Sequence, residues 1–148
     1  MAAKALPCPT LLRLLLDYDP ETGKLYWKPR KPWMFKDGVQ MSAEQLCYRY
    51  NKRYADREAF TSATGRGYKA GRVLGRPVCA HVVAWAMVSG VYAPNEVDHV
   101  NGDPADNRVV NLRAASRQEN MRNTRPRRGA SSRFKGVHLW RGPASRQS

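Results

Sequence analysis

The chain has 148 residues, with 26 Lys and Arg against 12 Asp and Glu, a formal net charge of +14 and a pI near 10.3. With 42% apolar and 26% charged residues, it can fill one core, and no apolar run approaches the roughly 18 residues of a membrane-spanning helix. Cys8, Cys47 and Cys79 form neither a disulfide framework nor a paired-cysteine zinc motif, and Arg13 interrupts the only apolar run near the start, so a reduced, cytoplasmic protein is the expectation.

In chain order, Pro9–Asp17 reads as a short amphipathic helix with Thr10 at its N-cap. Asp19–Gly23 is turn chemistry, and Lys24–Lys28 alternates like a strand. Residues 29–42 read as an irregular loop and 43–60 as a second helical stretch whose tyrosines, Tyr48, Tyr50 and Tyr54, could stack on bases, a core or helix-face role being the preferred reading. Thr64–Gly67 breaks the chain. Tyr68–Leu74 and Val78–Ala80 then suggest two strands about a turn at Gly75–Pro77. His81–Val88 is a compact apolar helix ended at Gly90. There His81 reads as a satisfied core histidine and Trp85 as core. Glu96–Val100 is strand-like, Asn101–Asn107 is dense turn chemistry, and Val109–Leu112 can return as the second arm of a hairpin. Ser116 and Glu119 have the spacing of a capping box that opens a helix to about Asn123.

Charge is concentrated late. From Arg113 onward there are ten basic residues and one acid, Glu119. Most are Arg, whose planar fork suits phosphate, so a nucleic acid is the expected partner. Inside the strand–strand–helix stretch 96–123 lie Asp98, His99, Asn107, Asn111 and Asn120. Hydrolysis of a phosphodiester needs a base that titrates near neutrality, which His supplies, and a hard cation on oxygen ligands, for which Asp and Asn are suited. Adjacent strand residues point to opposite faces, so Asp98 and His99 can act together only across a bend or at the strand's end. Asn107 is read as a hairpin residue bonding the loop backbone, and His138, in the tail, has no partner in sequence.

The run DHVNGDPADNRVVNLR followed by ENMRN resembles the HNH endonucleases of phage and homing type whose last motif position is Asn. RPVCAHVVAWAMVSG, YDPETGKLYWKPR and YNKRYADREAF are similar to segments that precede the motif in such proteins. The resemblance implies a small α+β domain centred on a ββα-metal motif, with residues 1–66 an N-terminal helix and hairpin segment that contacts DNA, 67–124 the nuclease core and 125–148 a basic tail. It implies His99 as general base, Asp98 and Asn120 as ligands of Mg²⁺ or another divalent cation such as Mn²⁺, and Asn111 as the brace of the loop. Asn123 is the alternative ligand, because positions three apart share a helix face. Arg108, Arg113, Arg117, Arg122, Arg125, Arg127 and Arg128 are the expected contacts to double-stranded DNA.

The implied protein is a metal-dependent DNA endonuclease, phage-encoded and acting in the bacterial cytoplasm as a monomer or weak dimer. The alternative is a DNA-binding protein without catalysis. Ser131–Trp140 resembles the opening strand of the small DNA-binding domain of ethylene-response factors, cut short eight residues later.

Overall fold

The computed structural model describes residues 5–123. Arg125, Arg127, Arg128, His138 and the segment 131–140 lie outside the described residues. Among those described, four α-helices and three small sheets make an α+β fold.

Helix α1 spans Pro9–Leu15. Its N-cap is Cys8 and Pro occupies the first turn, so the expected cap at Thr10 lies two residues too late. The helix stops at Leu15 because Leu16 turns extended and pairs with Trp27. Strands β1 (Leu16–Asp19), β2 (Lys24–Trp27) and β3 (Glu58–Ala59) form the first antiparallel sheet. Between β2 and β3 the chain makes a 3-10 turn at Pro32–Met34 and helix α2 (Ala43–Tyr54), opened by a Ser42–Gln45 capping box. The helical reading of 43–60 was therefore too long at its end: Asp56 has positive φ, and Glu58 and Ala59 leave to pair with Tyr26 and Leu25.

Strands β4 (Ser62–Ala63), β5 (Lys69–Val73) and β6 (Arg76–Cys79) form the second sheet. Its β5–β6 turn sits at Leu74 and Gly75, both with positive φ, as a two-residue hairpin requires. That leaves Arg76 and Pro77 in the strand, not in the turn expected at Gly75–Pro77. Helix α3 (Ala80–Ser89) follows and ends at Gly90 in the left-handed region.

Strand β7 (Glu96–His99) pairs with β8 (Leu112–Ala115) in the third sheet, with Asp98 opposite Arg113 and His99 opposite Leu112. The expected return arm at Val109–Leu112 is displaced. Val109–Asn111 winds into a 3-10 turn, Val110 is 82% exposed, and the strand starts only at Leu112. Helix α4 (Arg117–Asn123) completes the strand–strand–helix unit.

Apolar burial falls into two clusters on either side of α3. The larger joins Leu12, Leu15, Leu16 and Leu25 from the N-terminal elements to Val73, Val83, Ala86 and Met87. The larger cluster thus draws on residues from both sides of residue 66. The smaller holds Ala84, Val97 and Leu112, with Trp85 packed at its edge. α3 is the wall between the two.

Candidate active site

Strand alternation decides what each β7 side chain meets. Val97 and His99 face α3, where Val97 packs on Ala84 and the His99 ring meets His81 edge-on at 4.9 Å between centroids. Glu96 and Asp98 face α4 instead. His99 is 3% exposed and Asp98 6%. The two groups therefore sit back to back at the end of the strand, the geometry the alternation demanded.

On the α4 side, Asp98 Oδ2 accepts from Arg113 Nη2 at 3.0 Å and from Asn123 Nδ2 at 3.0 Å. Arg113 is its cross-strand neighbour, so the pair shares a face. Asn123 Nδ2 also donates to the His99 backbone carbonyl at 2.7 Å. One amide thus ties the carboxylate to the backbone of the histidine. Asn120, one helical turn earlier, donates its amide to Glu96. Asn123 is thus an amide in contact with Asp98, and both amides lie along the α4 face that covers β7.

The donor set on this face is two carboxylates, Asp98 and Glu96, and two amides, Asn120 and Asn123. All their metal-capable atoms are oxygens, which suits a hard divalent cation and not a soft one. Among the described residues no cluster of three His, Cys, Asp or Glu side chains assembles. A cation here would rest on carboxylate and amide oxygens, a set that fits Mg²⁺ or Mn²⁺.

On the α3 side, His99 Nε2 lies 2.9 Å from Asn107 Oδ1. A carbonyl oxygen can only accept, so Nε2 carries a proton, and in the neutral ring the lone pair is on Nδ1. Tyr68 stands against both imidazoles, 5.2 Å from His81 and 5.8 Å from His99. His81 is not the satisfied core histidine expected from its apolar helix. Its Nδ1 is buried without a hydrogen-bond partner among the described residues, and burial, with His99 nearby, pushes its pKa down to about 4. A cavity of about 280 Å³ opens beside it, bounded also by Tyr68, Tyr92, Glu96 and Asn120.

The loop between the strands is cross-braced. Asn111 Nδ2 donates to Asn101 Oδ1 at 3.0 Å and to the Asp106 carbonyl at 2.9 Å, and its own Oδ1 accepts from Asn101 N at 2.9 Å. Asn111 therefore sits where a loop brace belongs. Arg108 grips Asp106 through Nε and Nη2, holding that carboxyl down to about 2. Arg117 and Arg122 are exposed on α4, while Arg108 and Arg113 combine exposure with these ion pairs.

Residue-type reasoning passed over Tyr68, Glu96 and the Arg113–Asp98 pair. The signal for Glu96 and Arg113 was available: strand alternation places Glu96 beside Asp98, and hairpin pairing sets an arginine across from it. Tyr68 is distant in sequence and carried none.

No curated protein and no solved structure matches the chain. The scan of family models does match: residues 78–122, from the end of β6 through α3 and the β7–β8 hairpin into α4, match the family described as HNH endonuclease.

Proposed function

We propose that the protein hydrolyses phosphodiester bonds of double-stranded DNA with the help of a divalent cation, Mg²⁺ or Mn²⁺. The observation that carries this reading is the adjacency of Asp98 and His99 on opposite faces at the end of β7, with Asn123 bonded to both the Asp98 carboxylate and the His99 backbone carbonyl. His99 is the general base: with its Nε2 proton held by Asn107, Nδ1 accepts the proton of a water aimed at phosphorus. Asp98 with the α4 amides Asn120 and Asn123 would hold the cation, Asn123 being an amide in contact with Asp98. A bound cation supplies Lewis-acid stabilisation of charge on the phosphate and the leaving oxygen. Asn111 keeps the loop closed and so fixes the end of β7.

DNA contacts fall to Arg108, Arg113, Arg117 and Arg122 around the hairpin and helix. A second basic face lies on α2, where Arg49, Lys52 and Arg53 are exposed beside Tyr48, itself 66% exposed. With one such site per chain, one copy nicks one strand. A double-strand break takes two copies or two events.

A second reading, DNA binding without catalysis, is favoured by the low exposure of His99 and by the three hydrogen bonds already on Asp98 Oδ2. Incubation with supercoiled plasmid separates the two. Nicked circles with Mg²⁺ or Mn²⁺ that vanish with EDTA support the nuclease, and intact plasmid under every divalent ion leaves only binding.

A further inference from the structure

Asn107, which holds the proton-bearing nitrogen of His99, is itself held by the N-terminal hairpin more than eighty residues away in sequence. The Tyr18 hydroxyl at the end of β1 donates to the Asn107 backbone carbonyl oxygen at 2.8 Å. The β1–β2 turn then presses on the loop. A Cβ on Gly23 would stand 2.5 Å from Asn107 C and from Arg108 N, closer than real Cβ contacts come, and Gly23 has φ of +72°. Only glycine lets the two backbones meet there.

The turn is built for that approach. Asp19 accepts from Glu21 N at 3.0 Å and from the Thr22 hydroxyl at 2.6 Å, and its carbonyl accepts from Gly23 N at 2.8 Å. The sequence Asp19–Gly23 therefore does more than reverse the chain. Tyr18 also packs against both apolar clusters, which fixes its ring before its hydroxyl is used.

We propose that the β1–β2 hairpin is a positioning element for His99, with Tyr18 and Gly23 acting through Asn107 to fix the tautomer and aim of the imidazole. The proposal rests on the reading of His99 as general base. It adds a dependence of the site on residues outside the 78–122 match. Tyr18 and Gly23 are positioning residues: neither is placed to touch the phosphate.

The test uses the full chain with Tyr18→Phe, which keeps the ring and removes one hydroxyl, and Asn107→Ala, which removes the acceptor on His99. Nitrogen NMR of the imidazole rings reads the His99 tautomer directly. The native protein should show the Nε2–H form, and Tyr18→Phe should move the His99 ring nitrogens toward a mixture. On plasmid, Tyr18→Phe should lower kcat about tenfold with KM for DNA unchanged, since small misplacement of a reacting group is costly. The double variant should be no slower than Asn107→Ala alone, because Tyr18 has then lost the link it acts through.

A hydroxyl with a merely structural role predicts other results: unchanged His99 nitrogens in Tyr18→Phe, or an effect on kcat that adds fully to that of Asn107→Ala. Either one overturns the proposal. The NMR arm needs no turnover. If the native protein leaves plasmid intact while the ring nitrogens respond to Tyr18→Phe, the nuclease reading falls and the positioning stands.

Discussion

The two faces of α3 are built on different principles. One face packs Ala80, Val83, Ala86 and Met87 against Leu12, Leu15, Leu16 and Leu25, a cluster of apolar side chains. The other meets a unit whose buried residues include Asp98, His99, Asn107 and Asn111 and whose apolar part is Ala84, Val97 and Leu112. Burial of apolar surface stabilises the first face without regard to direction. The second is held by directional bonds that fix where each polar atom points. Stability and chemistry are thus separated by the width of one helix, and each can be attacked without the other.

The largest effect should come from the polar face. His99→Ala removes the base and should lower plasmid cleavage by about 10²–10⁴-fold. Binding of DNA, measured by fluorescence anisotropy without divalent ion, should stay near native, since in this reading the imidazole acts on water and supplies no charge to the phosphate backbone. Cleavage within a few-fold of native would place the base elsewhere.

The apolar face should answer in the opposite currency. Leu16 is fully buried, and Leu16→Ala should cost about 2–5 kcal/mol of folding stability, transfer and cavity terms together. Urea melts give the loss directly. Cleavage per folded molecule, measured well below the melting point, should change little; a fall as large as that of His99→Ala would mean the two faces are not separate.

How much of this division was legible beforehand follows from the range of each signal. The ββα unit was readable because its cues are local. The Ser116–Glu119 box marked α4, and the turn run Asn101–Asn107 marked the loop. The strand after the loop was misplaced by three residues because Asn111 spends its amide on Asn101 and Asp106, winding Val109–Asn111 into a turn that apolar patterning cannot anticipate. Tyr18 and Gly23 were readable as strand and turn. Their contact with Asn107 was not, since no spacing rule links residues so far apart. For His81, the apolar helix around it suggested a satisfied core group. The structure instead sets it edge-on to His99 because both project into the same narrow layer.

That layer gives a pH test of where the boundary lies. Unfolded, His81 titrates near 6.5; folded, near 4, because burial, assisted by His99, disfavours the cation. Between these values the unfolded chain binds more protons, so stability falls as pH drops through 6.5 and the loss is complete near 4. The share between pH 7 and pH 5 is about 2 kcal/mol. The lowered carboxylates Asp19, Asp106 and Glu119 lose their contributions only below their ordinary values, which lie under this interval. Tyr68 and His99 face the ring, from the residue before β5 and from β7. Urea melts at pH 7 and 5 should therefore show a smaller drop in His81→Phe than in the native protein. Equal drops would mean that His81 finds a proton partner on folding.

The smallest effect should be the most local. α4 has seven residues and buries none of them, so it cannot be stable by itself and gains nothing from either apolar cluster. What holds it is the capping box, with Ser116 N donating to Glu119 Oε2 at 2.7 Å and Glu119 N to the Ser116 hydroxyl at 3.3 Å, together with the Asn120–Glu96 and Asn123–Asp98 contacts. Ser116→Ala removes the cap and should cost about 1 kcal/mol at the helix. Because the helix shares no core, that cost should appear as fraying and not as global unfolding. Hydrogen exchange should quicken at the backbone amides of α4 while α3 stays protected. The same fraying withdraws Asn123 from Asp98 for part of the time, so calorimetric Mg²⁺ or Mn²⁺ affinity should weaken by a few-fold, with the thermal midpoint nearly unchanged. A matching fall in midpoint and in α3 protection would show that the polar unit and the apolar core unfold as one, and that the division across α3 is one of composition and not of energy.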